Sequence, residues 1–183
     1  MKLSKIERMI IESSYWFKKR KREVIILFSG IKSAKKVLNV GSGRINLTRN
    51  LIPAKTGLVL NIDIEKFLNI DSIADALNLP FEDKGFDIIV FLRVLHHIDD
   101  FYKALREAHR CLKPGGYILF SEPYSLFVYI LRFLGFNSHP KNIIINKDIN
   151  NFVNDNNLII TNKWKRIFLF YYGYQIKKSE QKT

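Results

Sequence analysis

The sequence predicts a doubly wound α/β fold, and three patterns support that prediction. An apolar strand over Val37–Val40 runs directly into a glycine turn at Gly41–Gly43. Strands and helices then alternate along the chain, which is typical of a mainly parallel sheet with helices on both faces. Phe86–Leu92 is apolar apart from Asp87, as expected of a strand covered on both sides. We expect one domain, because 183 residues with 47% hydrophobic composition suit a single core.

The chain before Gly30 is predicted to be helical and basic. Ser4 and Glu7 have the spacing of a capping box, which marks the start of a helix. Apolar positions further along predict two helical pieces, separated by the aromatic and basic segment 15–22. Residues 1–36 contain 11 Lys and Arg against 3 acidic residues. We therefore expect a basic helical cap at the amino terminus.

The later elements follow from apolar periodicity, caps and helix breakers. A short helix with Leu47 and Leu51 should end before Pro53, because a proline disfavours helix in the residue before it. In chain order we then predict a helix capped by Asp99 or Asp100 and running through Leu112, a turn at Pro114–Gly116 into a strand at Tyr117–Phe120, a helix near Lys147–Asn156, and strands at Leu158–Trp164 and Ile167–Tyr174.

An acidic residue follows the glycine turn at a distance that indicates an adenosine-containing ligand. Asp63 closes the next apolar run, Leu58–Ile62, about 20 residues beyond the glycines. Glycines let the backbone approach a ligand, and a carboxylate at the end of the next strand can accept ribose hydroxyls. A dinucleotide fingerprint would need glycine at position 46, where the chain has Asn46. The pattern therefore favours another adenosine cofactor.

Four further motifs identify the family that the chain resembles. With the glycine turn, in the same order and spacing, they resemble the class I S-adenosylmethionine-dependent methyltransferases, in the type 11, ubiquinone-biosynthesis-like small-molecule branch. The resemblance covers residues 37–123, implies S-adenosylmethionine as cofactor, and implies a mainly parallel seven-stranded sheet with an antiparallel C-terminal hairpin. The motifs are Ala74–Phe81, Gly85–Val90, Val94–His97 and Leu112–Tyr117.

The resemblance also divides the predicted domain into four segments. The second segment is expected to bind the cofactor, and the third lies where the family inserts substrate-recognition elements. The segments are a basic helical cap (1–36), a cofactor-binding core (37–123), a lid or substrate segment (124–147), and a C-terminal helix with a strand hairpin (148–183).

The resemblance implies roles for individual residues in cofactor binding. Gly41 and Gly43 would let backbone pass beneath the methionine and ribose portions. Asp63 would accept both ribose hydroxyls. Asp75 would accept the adenine amino group, and the backbone amide of Ala76 would meet a ring nitrogen.

Two more cofactor contacts are implied, and two residues depart from the family pattern. The backbone at Leu92 and Arg93 would hold the ammonium group at the carboxyl end of a strand. Asn39 stands where relatives commonly carry an acid, so it accepts hydrogen bonds without charge attraction. Ile45 stands where members of the family often have a glycine, and its side chain would narrow the space beside the ligand.

The catalytic requirement is small, because a sulfonium is already activated and the protein mainly aligns the reactants and removes a proton. His97 is the predicted base, since imidazole titrates near neutral pH. His96 is a weaker candidate for the same role. Glu122, at the end of a strand, is a second candidate base or substrate anchor. No metal site is expected.

The net charge of +13 indicates anionic partners but does not choose among them. The core is nearly neutral, and the basic residues concentrate in the flanks, so RNA, an anionic membrane surface and a phosphorylated substrate remain alternatives. The single cysteine, Cys111, suits a cytoplasmic protein. We expect no secretory signal and no membrane span, and therefore a cytoplasmic protein with a peripheral membrane contact as an option.

The acceptor is predicted to be a small molecule, saccharide-linked or lipid-like. The segment Tyr15–Lys21 resembles entry helices of type 11 relatives associated with saccharide or cell-surface polymer pathways. Tyr124–Phe136 is apolar almost all round and suits a core helix, a lipid-like substrate pocket or an interfacial contact. The alternatives are an RNA methyltransferase and a non-catalytic cofactor-binding or scaffold protein of the same fold. The sequence gives no oligomeric state.

Overall fold

A computed structural model of the chain describes residues 15–43, 56–68, 70–123, 144, 146–166 and 171–180. The described helices are α1 (Tyr15–Leu27), α2 (Phe101–Cys111) and α3 (Asn146–Asp155), with a 3₁₀ helix at Leu95–His97. The strands are β1 (Ala34–Val40), β2 (Thr56–Asp63), β3 (Ser72–Ile73), β4 (Phe86–Leu92), β5 (Leu112–Pro123), β6 (Leu158–Arg166) and β7 (Tyr171–Lys178).

These strands form one seven-stranded sheet in the order β3-β2-β1-β4-β5-β7-β6. The pairs from β3 through β5 are parallel, and β7 runs antiparallel between β5 and β6. The reversal of strand order between β1 and β4 creates the crevice that doubly wound sheets use for ligands. The predicted fold class, with its antiparallel C-terminal hairpin, is confirmed.

Helices cover both faces of the sheet and bury its central strands. On one face, Leu105 of α2 and Phe152 of α3 pack in the same apolar cluster as Ile89. On the other face, Val24 and Leu27 of α1 pack with the inner strands. All of β4 except Asp87 is therefore buried, and each large apolar side chain contributes about 1.5–3 kcal/mol of burial free energy.

Helix α1 differs from the sequence prediction. The aromatic and basic segment 15–22 was expected to separate two helical pieces, but it forms the first part of α1. The helix continues because one side can be buried while the other remains in solvent. Glu23, Val24 and Leu27 are buried, whereas Lys18 and Lys21 are exposed. Residues 1–14 lie outside the described part of the chain, so the full cap stays a prediction.

Helix α2 begins where it was predicted to begin. The Asp100 side chain accepts a 2.8 Å hydrogen bond from the backbone N–H of Lys103, as an N-cap should. The helix ends at Cys111, and β5 starts at Leu112, five residues before the predicted strand. The predicted turn at 114–116 is instead an irregularity within β5, where the pairing to β4 shifts register and Gly115 has a φ of +74°.

The last helix and hairpin agree with the prediction in type and order. Helix α3 lies within one residue of its expected bounds, and β6 contains the expected strand. The second strand, β7, lies four residues further along than predicted. Its position is fixed by pairing with buried β5, where Ile176 lies opposite Ile118. The predicted helix after Gly43 and the segment 124–136 lie outside the described residues.

Candidate active site

The sheet places most of the predicted site residues at one edge. The glycine turn follows β1, Asp63 ends β2, and the loop with Asp75 follows β3. Leu92 ends β4, and Glu122 lies near the end of β5. Because parallel strands present their carboxyl ends together, these five positions surround the crevice at the strand-order reversal.

The glycine turn is held against the end of β2 and requires its glycines. The backbone N–H groups of Gly41 and Ser42 both donate to the Ile62 carbonyl, at 2.9 and 3.1 Å. Gly41 and Gly43 have φ values of +68° and +67°, in the left-handed region that favours glycine. A Cβ on Gly41 would lie 2.2 Å from Cγ2 of Val94, so this position also requires the absence of a side chain.

Asp63 joins the turn to the end of β2 through its carboxylate. Its Oδ2 accepts a 2.8 Å hydrogen bond from the Gly43 N–H, and its Oδ1 accepts a 3.1 Å bond from the Glu65 N–H. An ionised carboxylate offers about four lone-pair sites, so acceptor capacity remains for two hydroxyls. The geometry is compatible with the ribose-binding role that the sequence predicts.

The loop carrying Asp75 and Ala76 is bound to the same region. The Ala74 N–H donates to the carbonyl of Asp63, the last residue of β2, at 2.9 Å. Asp75 therefore directly follows a residue that is hydrogen-bonded to the end of β2. Asp75 is exposed, and its Oδ1 accepts the Leu77 N–H at 2.9 Å. The carboxylate therefore shapes its own turn, and the adenine-binding role of both residues stays a prediction.

Two charged residues of α2 fix the far side of this loop. Arg110 donates to the carbonyls of Leu79 and Phe81, and Glu107 accepts the Leu79 N–H at 2.9 Å. Their ion pair is 2.8 Å long, and the hydrogen bond from Arg110 lowers the pKa of Glu107. Helix α2 thus positions the predicted adenine loop, a function that we did not predict from sequence.

Arg93 has an unusual backbone and a buried partner. Its φ of +58° is uncommon for a non-glycine residue, and its N–H donates to the Ser121 carbonyl at 2.8 Å. Its guanidinium donates to both carboxylate oxygens of Glu23, at 3.3 and 2.8 Å, and lies over the Tyr171 ring. Strained residues cluster at functional sites, and the cofactor contact predicted for the backbone at Leu92 and Arg93 stays a prediction.

Glu23 links α1 to this edge of the sheet. It is 1% exposed, and besides binding Arg93 it accepts a hydrogen bond from the Ser121 hydroxyl. We did not single out Glu23 in the sequence. One signal was available, because Glu23 is the sole acidic residue between positions 13 and 36, and it directly precedes the apolar end of the helix.

Asn39 lies within the sheet and not in the glycine turn. It is 1% exposed, and its Nδ2 donates to Oδ1 of Asn61 on β2 at 3.0 Å. The Asn61 side chain and backbone N–H both donate to the Asp71 carboxylate, at 3.0 and 2.8 Å. Asn39 therefore belongs to a polar chain that crosses β1 and β2, and its predicted contribution to cofactor binding stays a prediction.

The two histidines have different surroundings. Nδ1 of His96 lies 2.5 Å from Oε2 of Glu122, whose Oε1 accepts the Leu95 N–H at 2.9 Å. Glu122 is 1% exposed, and burial raises its pKa while the contacts with His96 oppose the rise. The ring of His97 is exposed and lies 3.9 Å from the His96 ring, centroid to centroid. The structure thus pairs Glu122 with His96, and the role predicted for His97 stays a prediction.

The site also contains an orphaned polar atom that suits a ligand. The Ser42 hydroxyl is buried and has no hydrogen-bond partner among the described residues. Burying a hydroxyl without a partner is unfavourable, and a ligand above the turn could supply one. The residues present therefore fit an adenosine cofactor. Across the described ranges, no cluster of three His, Cys, Asp or Glu residues could hold a metal ion.

The chain is similar to known methyltransferases in sequence. Residues 38–120 match the type 11 family described as a methyltransferase domain. The chain is 40% identical to phthiotriol/phenolphthiotriol dimycocerosates methyltransferase 1 of Mycobacterium ulcerans, over 49% of this chain and 38% of that protein. It is 32% identical to the ubiquinone/menaquinone biosynthesis C-methyltransferase UbiE of Haemophilus ducreyi, over 64% of this chain and 55% of that protein. The matches thus span between 38% and 55% of the length of those relatives.

The fold has a counterpart among solved structures. The N-methyltransferase NodS of Bradyrhizobium japonicum, solved with S-adenosyl-L-homocysteine, superposes with a TM-score of 0.68. The superposition covers 93% of this chain and 91% of that one, at 14% identity, and so supports the fold alone. The family match covers nearly all of the segment whose motifs carried the resemblance. Residues 38–120 of this chain thus match the type 11 family of methyltransferase domains, a family whose cofactor is S-adenosylmethionine.

Proposed function

We propose that the protein transfers a methyl group from S-adenosylmethionine to a small-molecule acceptor. The observation that carries the proposal is the glycine turn joined to Asp63 by the 2.8 Å bond from Gly43, within a domain of the type 11 family. The cofactor would supply an activated methyl group. Gly41, Ser42 and Asp63 would bind it, with Asp75 and the backbone at Arg93 as further proposed contacts.

We propose a lipid-like or saccharide-linked molecule as the acceptor class. Two similar proteins are named for a phthiotriol dimycocerosate and for the ubiquinone and menaquinone pathways, which favours a large apolar acceptor. The basic flanks would hold an anionic acceptor or a membrane surface beside the site, so we propose a cytoplasmic enzyme with peripheral membrane contact. None of the helices in the described ranges has the length and apolar character needed to cross a bilayer.

The test is transfer of a radiolabelled methyl group from S-adenosylmethionine to a panel of acceptors. The panel contains quinols and phenols, lipid-linked saccharides, free sugars and RNA. We expect label in the organic phase together with an equal amount of S-adenosylhomocysteine. A variant with Asp63→Ala serves as the control, because it removes the predicted ribose contact and should lose the transfer.

The two alternatives correspond to different outcomes of the same experiment. Label in RNA that depends steeply on salt would favour an RNA methyltransferase, for which the net charge of +13 is the supporting observation. Cofactor binding without transfer to any member of the panel would favour a non-catalytic protein of this fold. Absence of cofactor binding would overturn the proposal itself.

A further inference from the structure

We infer that His96 and Glu122 act together as the proton acceptor of this site, with His96 taking the proton and Glu122 positioning its ring. The inference rests on the proposed methyl transfer and adds the acceptor chemistry to it. A base is needed only when the acceptor atom carries a proton that it must lose. The pair therefore points to a neutral acceptor with a hydroxyl or an enolic carbon, and not to a tertiary amine or a thioether.

The contacts of Glu122 favour this arrangement. Its two oxygens receive separate partners, the Leu95 N–H at 2.9 Å and Nδ1 of His96 at 2.5 Å. When the carboxylate accepts a hydrogen bond from Nδ1–H, Nε2 carries no proton and keeps its lone pair. This is the tautomer that a general base requires. Within the described part of the chain, Nε2 of His96 makes no hydrogen bond.

The pair lies in a mostly buried environment. The side chain of His96 is 11% exposed, and that of Glu122 is 1% exposed. On β7, Tyr172 is paired with Glu122, but its hydroxyl donates to the Ile144 carbonyl at 2.6 Å. The other ionisable groups that influence this region are the His97 ring, and Tyr174 and Asp148, which act on Tyr172. Glu122 is thus the acidic group in direct contact with His96.

The pair also lies close to the glycine turn. Val94 contacts the glycine turn so closely that a Cβ on Gly41 would overlap its side chain. The carbonyl of Val94 accepts the His97 N–H at 2.9 Å, which fixes the short helix that carries both histidines. His96 is therefore two residues from a direct contact with the turn that is expected to hold S-adenosylmethionine.

The step assigned to the pair is one proton transfer. The O–H bond of the acceptor breaks and its electron pair remains on the oxygen, so that this oxygen or the carbon conjugated to it becomes the nucleophile. The methyl group bonds to that atom as its bond to the sulfonium sulfur breaks, and the electron pair of that bond stays on sulfur. The proton binds Nε2 of His96 and gives an imidazolium next to the Glu122 carboxylate. The proton then leaves to water, which restores the neutral ring.

The experiment is ¹⁵N NMR of the full chain labelled at its histidines, of which there are four. Replacement of His96, His97 and His109 by glutamine, one at a time, assigns their signals. We expect neutral His96 to carry its proton on Nδ1, and we expect Glu122→Gln to reduce the share of that tautomer, because a neutral amide oxygen is a weaker hydrogen-bond acceptor than a carboxylate. His109, half-buried on α2, serves as the internal control and should not change. A proton on Nε2 in the wild-type protein would overturn the inference.

A second measurement compares two ligands that differ by one positive charge. S-adenosylmethionine should shift the ¹⁵N signals of the His96 ring relative to S-adenosylhomocysteine, because the sulfonium charge lies beside that ring. Binding of both ligands with the same His96 signals would contradict this inference while leaving the proposed function intact. Binding of neither ligand would contradict the proposed function. The position of the proton on His96 in the wild-type protein tests the inference even if the Glu122→Gln variant does not fold.

Discussion

Asp63 is the residue on which the cofactor assignment depends most. Its carboxylate accepts two backbone N–H groups and retains capacity for further hydrogen bonds. We predict that Asp63→Ala weakens S-adenosylmethionine binding by about 1.5–3 kcal/mol, roughly 10- to 150-fold, because it removes charged hydrogen bonds. Calorimetry measures the change. The matched control is Glu65→Ala, an exposed residue whose N–H to Asp63 is retained, and equal affinity of the two variants would remove Asp63 from the site.

For Asn39, the structure modifies the prediction that was made from the sequence. The sequence predicts that Asn39→Asp tightens cofactor binding at low salt, by attraction to the ammonium. The structure adds a cost, since a carboxylate would face Oδ1 of Asn61, whose amide already donates to Asp71. We therefore expect the free energy of unfolding of the ligand-free protein to fall by about 1–3 kcal/mol.

Urea denaturation without ligand and calorimetry with ligand separate these two effects of Asn39→Asp. The same substitution in an Asp71→Asn background should cost less stability, because one nearby negative charge has been removed. An unchanged unfolding midpoint in the original background would show that the strand accommodates the carboxylate without loss.

Individual site residues could be predicted from sequence where a motif fixes their position on a strand end. Asp63 and the glycines are examples, since the order and spacing of the family motifs places them at the crevice. The pairing of His96 with Glu122 could not be predicted, because the two residues lie on different elements and only the β4–β5 register brings them together. For the same reason Glu23 and Arg93, 70 positions apart, gave no joint signal.

Helix α1 is attached to the candidate site by a buried ion pair. We predict that Arg93→Ala lowers the free energy of unfolding by about 3–5 kcal/mol, because it leaves Glu23 buried without its cation. Glu23→Gln should cost less, since the neutral amide can still bond Ser121 and Arg93 stays partly exposed. Urea denaturation compares the variants with Arg22→Ala, an exposed neighbour on α1. Equal losses for Arg93→Ala and Arg22→Ala would show that the pair does not hold the helix.

Asp87 connects the starts of three strands and makes stability depend on pH. Burial raises its pKa, but hydrogen bonds from Lys113 and from the backbone N–H groups of Lys35 and Lys36 outweigh burial, so the pKa lies below its ordinary value of 3.8. The folded state therefore favours the ionised form. Its contribution to stability is complete above the unfolded pKa and is lost as the pH falls through the lowered pKa of the folded state.

The prediction for Asp87→Asn follows from the lowered pKa of Asp87 in the folded state. At pH 7 the substitution should lower the free energy of unfolding by about 1–3 kcal/mol, the scale of hydrogen bonds to a charged group. The difference from wild type should shrink as the pH falls below 3.8. Denaturation curves at several pH values measure it, with the exposed Glu82→Gln as control. A difference that stays constant down to pH 3 would contradict the assignment.

The type and order of the described elements could be predicted, whereas several boundaries could not. Apolar periodicity and the Asp100 cap located α2 to within one residue. The start of β5 and the position of β7 are set by pairing with neighbouring strands, which local sequence does not encode. The prediction for segment 15–22 was wrong because its run of basic residues conceals the helical periodicity in the sequence. The helix that contains this segment nevertheless has a buried face.

The distribution of charge is a property of the whole molecule. Of the 30 Lys and Arg residues, 20 lie outside residues 37–123. If the flanks guide a membrane-held acceptor, the protein should bind vesicles containing anionic lipid, release them as salt rises, and bind neutral vesicles poorly. Replacement of Trp16 and Phe17 by alanine should weaken the binding, since aromatic side chains anchor at the interface.

Vesicle co-sedimentation over a range of salt concentrations measures that binding. Negligible binding to vesicles, together with RNA binding that falls linearly in log affinity with log salt, would favour RNA as the partner. A protein that binds neither surface would have its charge explained by composition alone, and its acceptor would be an ordinary dissolved metabolite.

The central claim is that this edge of the sheet binds S-adenosylmethionine at the glycine turn. The measurement that tests it most directly is a crystal structure of the protein with S-adenosylhomocysteine. We predict that the ribose hydroxyls contact Asp63, that the ligand covers Ser42, and that the sulfur faces the short helix carrying His96. A ligand bound elsewhere, or bound at this edge without contact to Asp63, would contradict the account.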